Sequence, residues 1–355
     1  MRYSQQLPVA SANSRRPVGP EPSRHAARVA ACHHSTQALA MTERKSDRAS
    51  ESAPEGAIPP LDVVGSEILP PVADDVRRRF RVLERLAPGL GSRWAVELWC
   101  TPPVMESALR LPPGVPPGKP LEAYWDGHRV VGEEWGEGPP VYLVHGWGGR
   151  RPHLAMFIKP LVAAGYRVIA FDLPSHNESD PGELAPGRTT SVECAAAIKA
   201  VIEAHGSAHA VVAHSLGGNA TVCAAAEGAS VGRLVLLSPM GDFPLYLDLF
   251  AARHDFGRRI RAGLQRRLEK RIGMPLHETN MEHVGRLAGY PPLLVIHDPD
   301  DPDAPYAASQ RLAATWPGAR LLTTKGLGRL AHYRILRHRP AITAGVEFIG
   351  APTPT

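Results

Sequence analysis

From position 121 onward, short apolar runs recur between longer stretches whose apolar residues return every three to four positions. The runs predict strands over 121–126, 129–135, 141–144, 167–171, 210–213, 234–237, 293–296 and 320–322. The first two flank Asp126-Gly127, a hairpin turn pair. The later ones lack polar alternation and are separated by helical patterns, which predicts a mostly parallel sheet covered on both faces. Helices are expected from Thr190, where Thr190 and Glu193 have capping-box spacing, directly after Ser215, and over 306–316.

The rhythm breaks over 240–290, where helical patterning continues without a strand and Ile260, Leu264, Leu268 and Ile272 form one stripe. Upstream, Val76, Phe80, Leu83 and Ala87 suit a helix beginning at Asp74, which Gly89 and Gly91 are expected to end. A second short helix carries Trp94, Leu98 and Trp99. Seven prolines between Pro102 and Pro120 read as a linker. The predicted organisation is a disordered tail over 1–70 and a helical segment with its Pro-rich linker over 71–120. An α/β core follows over 121–239 and 291–350, interrupted by a helical insertion over 240–290.

Composition narrows the class. The chain has 355 residues, 43% hydrophobic and 21% charged, values of a soluble globular protein. No apolar run reaches membrane-helix length. Cys32, Cys100, Cys194 and Cys223 have neither paired nor metal-like spacing, so reduced thiols and a cytoplasmic location are expected. Most of the formal charge of +5 belongs to the tail, where residues 1–40 hold five arginines against one acid. That weakens any case for a nucleic-acid partner. The tail has no secretory apolar core, and Met41 is the expected true start.

The segment Val-Val-Ala-His-Ser-Leu-Gly-Gly (211–218) runs a strand straight into a serine and then a helix. A reversal that tight needs small residues two before and two after its apex, here Ala213 and Gly217. It exposes the Ser215 hydroxyl and aims the N–H of Leu216 at a developing oxyanion. The segment resembles the nucleophile elbow of the α/β-hydrolase superfamily, with Ala213 in place of that motif's first glycine.

The resemblance implies the chain order Ser, acid, His. The stretch from Leu293 to Pro302 is similar to the family's strand-7 ending, which puts the acid at Asp301, with Asp298, Asp300 and Asp303 as rivals. Gly326-Leu-Gly-Arg-Leu-Ala-His resembles the histidine loop and puts the base at His332, with His338 the rival. Its Arg329–Ala331 spacer is longer than the family's. Val141-Tyr-Leu-Val-His-Gly-Trp-Gly-Gly matches the His-Gly-x loop, making Trp147 the second oxyanion donor and His145 a brace. The stretch from Phe171 to Ser179 resembles the Asp-x-Pro-Gly-His-Gly-x-Ser loop, with Ser175 and Asn177 replacing both glycines. Asp172 and His176 are therefore given structural roles. The resemblance covers 121–335 and implies an eight-stranded, doubly wound α/β-hydrolase fold with a helical lid.

A serine at the elbow implies acyl chemistry: cleavage of a carboxylic ester or related bond through an acyl-enzyme. Thioesterase, carbon–carbon hydrolase and acyltransferase chemistry on the same residues stay open, as does a non-catalytic binding protein of the same fold. A small-molecule acyl substrate is expected, with no metal, no cofactor and no stable membrane insertion. Phe243, Leu245, Tyr246 and Phe250 open the lid and are candidates for lining the substrate pocket. The basic stretch over 258–271 reads as a solvated helix face.

Overall fold

The computed structural model describes residues 72–103 and 111–352. The predicted tail over 1–70 and part of the Pro-rich linker lie outside the described residues. Two helices come first, α1 (Asp74–Leu86) and α2 (Pro88–Trp99). Gly89 and Gly91, expected to end the first helix, lie inside the second. The break falls at Ala87 because it precedes Pro88, whose ring disfavours helical backbone there and suits the first turn of a new helix. Gly91 is kept inside α2 by close packing: a Cβ there would stand 2.4 Å from the Ile260 side chain.

The eight predicted strands all form: β1 (Lys119–Trp125), β2 (His128–Trp135), β3 (Pro140–Val144), β4 (Arg167–Phe171), β5 (Ala210–His214), β6 (Leu234–Leu237), β7 (Leu293–His297) and β8 (Arg320–Thr323). They build one sheet in the order β1-β2-β4-β3-β5-β6-β7-β8. The β1–β2 hairpin and the β2–β4 pair are antiparallel, and every pair from β4–β3 to β7–β8 is parallel. Strands β5 and β7 are buried along their whole length, which explains the missing polar alternation.

Helices cover both faces. On one side α4 (Ser191–His205), α5 (Leu216–Ala226), α8 (Met281–Leu287) and α9 (Tyr306–Thr315) contribute Ile198, Ala220, Val284 and Leu312 to a shared core with Val211 and Val295. On the other, α3 (Ile158–Ala163) and α11 (Arg339–Gly350) pack Leu161 and Ile342 against Val212 and Ile296. The Thr190 hydroxyl accepts the Glu193 N–H at 3.2 Å and the Glu193 carboxylate accepts the Thr190 N–H at 2.6 Å, a complete capping box on α4.

A third apolar cluster lies beyond β6. Helices α6 (Phe243–His254) and α7 (Arg258–Ile272) pack with α1 and α2 around Phe80, Leu247, Ile260 and Leu264, and the cluster reaches Leu216. Phe80 stacks on Trp94 with ring centroids 4.3 Å apart. The predicted stripe Ile260, Leu264, Leu268 and Ile272 is the buried edge of α7. A short helix α10 (Ala331–Arg334) precedes α11.

Candidate active site

Ser215 stands between β5 and α5 with φ +50° and ψ −122°, a backbone region that costs a non-glycine residue about 1–3 kcal/mol. Surrounding bonds hold it there: its N–H donates to the Leu237 carbonyl at 3.0 Å, and its own carbonyl accepts from Gly218 and Met240 at 3.1 Å each. The small-residue rule for the reversal holds. A Cβ at Gly217 would lie 2.3 Å from the His145 carbonyl oxygen, so only glycine fits. Across the elbow, a Cβ at Gly146 would lie 2.9 Å from that of Ser215, which measures how tightly the two loops abut. Among the described residues the Ser215 hydroxyl makes no hydrogen bond, and neither Leu216 N–H nor Trp147 N–H has an acceptor.

The loop carrying Trp147 is braced by two buried imidazoles. A carbonyl can only accept, so His145 donates from Nδ1 to Gly146 O at 2.8 Å and accepts the Leu173 N–H on Nε2 at 3.0 Å. By the same logic His176 donates from Nδ1 to Pro174 O at 2.8 Å and accepts the Gly148 N–H on Nε2 at 3.0 Å. Burial holds both rings neutral: it pushes His145 well below its usual range and His176 down to about 4. Asp172, with its carboxylate accepting from Arg151 N–H at 2.8 Å and from the Arg151 guanidinium, ties β4 to the same loop.

Asp301 and His332 come together although 31 positions separate them. His332 Nδ1 lies 2.8 Å from Asp301 Oδ2, which leaves Nε2 as the ring's free base. The other carboxylate oxygen accepts the N–H groups of Asp303 and Ala304 at 2.9 Å each. His297 Nε2 stands 3.3 Å from Oδ2, and its Nδ1 meets Ser309 Oγ at 2.6 Å. Burial alone would raise the Asp301 carboxyl, but His332 and His297 hold it far below the usual carboxylate range. Burial works against the His332 imidazolium, and the Asp301 charge overcomes it and raises the ring above its ordinary value.

The rivals for the acid go elsewhere. Asp298 is buried and spends its carboxylate on the Thr324 hydroxyl at 2.9 Å and the Asp300 N–H at 3.0 Å, while Asp300 is exposed. Asp303 is half-buried beside the pair. His338 stands at the N-cap position of α11 and makes no side-chain capping bond there, and among the described residues no hydrogen bond joins it to Asp301. The long spacer before His332 is taken up by a 3-10 turn over Gly328–Leu330, so the ring still reaches Asp301.

One residue that sequence reasoning passed over is His214. It is buried directly before Ser215, donates from Nε2 to the His332 carbonyl at 2.9 Å, and sets its ring 4.6 Å from that of His332. The signal was a polar residue inside an otherwise apolar strand end. Of the expected pocket residues, Phe243 is buried in the third cluster, while Leu245, Tyr246 and Phe250 are half-buried. Phe250 packs edge-on against Trp99 at 5.2 Å. Among the described residues the buried Tyr246 hydroxyl has no hydrogen-bond partner, and burial together with Asp301 and Asp303 pushes it well above the usual phenol range.

Asp301, Asp303 and His332 also offer ligand atoms within 4.8 Å of one another. Two amide N–H groups and His332 Nδ1 already use both Asp301 oxygens, so an ion there would have to displace the ring from its acid. The arrangement suits proton transfer better than metal binding.

A sequence profile of the alpha/beta hydrolase fold matches residues 139–283. A 2-hydroxy-6-oxononadienedioate/2-hydroxy-6-oxononatrienedioate hydrolase of Dechloromonas aromatica is 37% identical over 103 residues, 27% of this chain and 35% of that protein. A non-heme chloroperoxidase of Streptomyces lividans is 32% identical over 117 residues, 32% of this chain and 42% of that protein. The chain thus spans well under half the length of these curated relatives. An esterase structure from Rhodococcus sp. superposes with a TM-score of 0.50 at 20% identity, covering 66% of this chain and 99% of that one. The matching profile, the superposed structure and the eight-stranded sheet together show the alpha/beta hydrolase fold.

Proposed function

We propose that the protein is a serine hydrolase that cleaves a carboxylic ester or related acyl bond. The observation that carries this reading is the strained Ser215, whose preceding residue His214 bonds the His332 carbonyl, together with a His332 ring whose Nδ1 is held by a buried carboxylate at 2.8 Å. His332 Nε2 takes the Ser215 proton as Oγ bonds to the substrate carbonyl carbon. The carbonyl electron pair moves onto oxygen, where the N–H groups of Leu216 and Trp147 receive it. Collapse breaks the bond to the leaving alcohol, which takes the proton from His332 and leaves an acyl group on Ser215. Water, deprotonated by the same ring, releases the acid. Asp301 stays ionised throughout and stabilises the imidazolium.

Helices α6 and α7 act as the lid in this reading, with Tyr246 and Phe250 toward the substrate, while α8, at the end of the predicted 240–290 insertion, packs into the core on the sheet. A second reading has one specific support. The Dechloromonas relative is named for a 2-hydroxy-6-oxo dienedioate, a ketone rather than an ester. The same groups acting on a ketone would cleave a carbon–carbon bond.

A fluorophosphonate probe tests the proposal. Wild type is labelled and Ser215→Ala is not, and a panel of p-nitrophenyl esters and acyl-CoAs finds a hydrolysed member. A folded wild type that resists labelling and turns over none of the panel overturns it.

A further inference from the structure

The geometry points to a peripheral docking surface for an anionic lipid bilayer on the outer face of α1 and the α1–α2 turn. Among the described residues, three of the six exposed large apolar side chains gather there: Val82 at 49%, Leu86 at 80% and Leu90 at 57%. Val82 and Leu86 are four apart and share one helix face, and Leu90 follows directly after the turn. Arg78, Arg79, Val82, Leu83 and Trp94 line a shallow groove of about 420 Å³ beside them.

Charge surrounds this ridge. Helix α1 holds five arginines against three acids, and α7 holds seven lysines and arginines against one. Backbone contacts bring α7 to the ridge: the Arg259 guanidinium bonds the carbonyls of Glu84 and Arg85, and that of Arg267 bonds Gly89. Glu84, the acid nearest the ridge, is spent on the Arg259 and Ile260 N–H groups. No carboxylate among the described residues pairs with Arg78, Arg85, Arg259 or Arg267. Solvated arginines alone would fit many anionic partners. Exposed Leu86 and Leu90 with the exposed Arg78 and Arg85 on the same helix and turn fit a surface that is apolar a few ångströms below its phosphates. No described helix is long and apolar enough to cross a membrane, so the contact lies in the interface.

Vesicle co-sedimentation of the full chain tests this. Vesicles of equal parts phosphatidylglycerol and phosphatidylcholine are expected to bind it at least about tenfold more tightly than phosphatidylcholine alone, with binding lost at high salt. Leu86→Ser/Leu90→Ser lowers affinity for the anionic vesicles about tenfold. Arg78→Gln/Arg85→Gln lowers it by a similar factor and flattens the salt dependence. All four side chains are exposed, so folding is spared, which circular dichroism checks. Equal binding to neutral vesicles, or both double variants binding like wild type, overturns the proposal. So does a wild-type dimer that the leucine variant dissociates, or duplex DNA bound as tightly as the anionic vesicles.

Discussion

His214 Nε2 and the His332 carbonyl oxygen lie 2.9 Å apart across 118 positions of chain. That bond joins the residue before Ser215 to the backbone of His332, the proposed base. One buried hydrogen bond thus ties the β5–α5 reversal to the segment carrying His332. Burial pushes His214 well below its usual range, so the donor is a neutral ring. Replacing it with phenylalanine keeps a flat ring, somewhat larger, and removes the bond. His214→Phe is expected to lower kcat by about 10–100-fold with little change in KM, because a misplaced base costs rate rather than binding. Steady-state kinetics on the best ester of the panel checks this, and a proportional rise in KM would count against it.

The strain at Ser215 makes a stability prediction opposite in sign to the activity one. Ser215→Gly removes the nucleophile and also a side chain from positive φ, so turnover disappears while unfolding free energy rises by about 1 kcal/mol. Gly217→Ala works the other way. Its Cβ meets a carbonyl oxygen at 2.3 Å, so it should cost about 1–3 kcal/mol. Denaturant unfolding separates the two, and a destabilised Ser215→Gly would show that the elbow is not strained.

The pH profile should report His332. The base must be neutral to act, and Asp301 raises its affinity for the proton, so the acid limb of kcat/KM lies above the ordinary imidazole value. Asp303 adds to that rise. Asp303→Asn therefore moves the limb to lower pH while kcat at alkaline pH changes little. A limb that stays fixed would mean that Asp303 does not act on the ring.

Tyr246 gives a paired outcome. Its buried hydroxyl has no partner, a situation that costs about 1–3 kcal/mol. Tyr246→Phe should raise the unfolding temperature. If the hydroxyl meets substrate as the lid reading holds, KM rises in the same variant. Increased stability with unchanged KM would restrict Tyr246 to a structural role.

The strands were legible because a sheet buried on both faces leaves unbroken apolar runs such as 210–213 and 293–296. The elbow was legible because steric crowding at a strand–helix reversal limits the flanking residues to Ala213 and Gly217. The pairing of Asp301 with His332 was expected from the resemblance of their two loops to the family's, with neighbouring acids left as rivals. The helix break between α1 and α2 was misplaced at the glycines, because Gly91 answers to Ile260, a residue 169 positions away. No local rule contains that contact.

His214 shows the same boundary. Periodicity makes it one more strand residue, and its partner is a backbone carbonyl, which carries no side-chain signature in sequence. Local sterics and burial patterns, which act over a few neighbouring positions, set the sheet, the turn and the residue types of the site. Hydrogen bonds and packing between elements far apart in the chain decided which acid holds His332, what braces the Trp147 loop and which apolar side chains stay uncovered, because those contacts exist only once the elements are packed together.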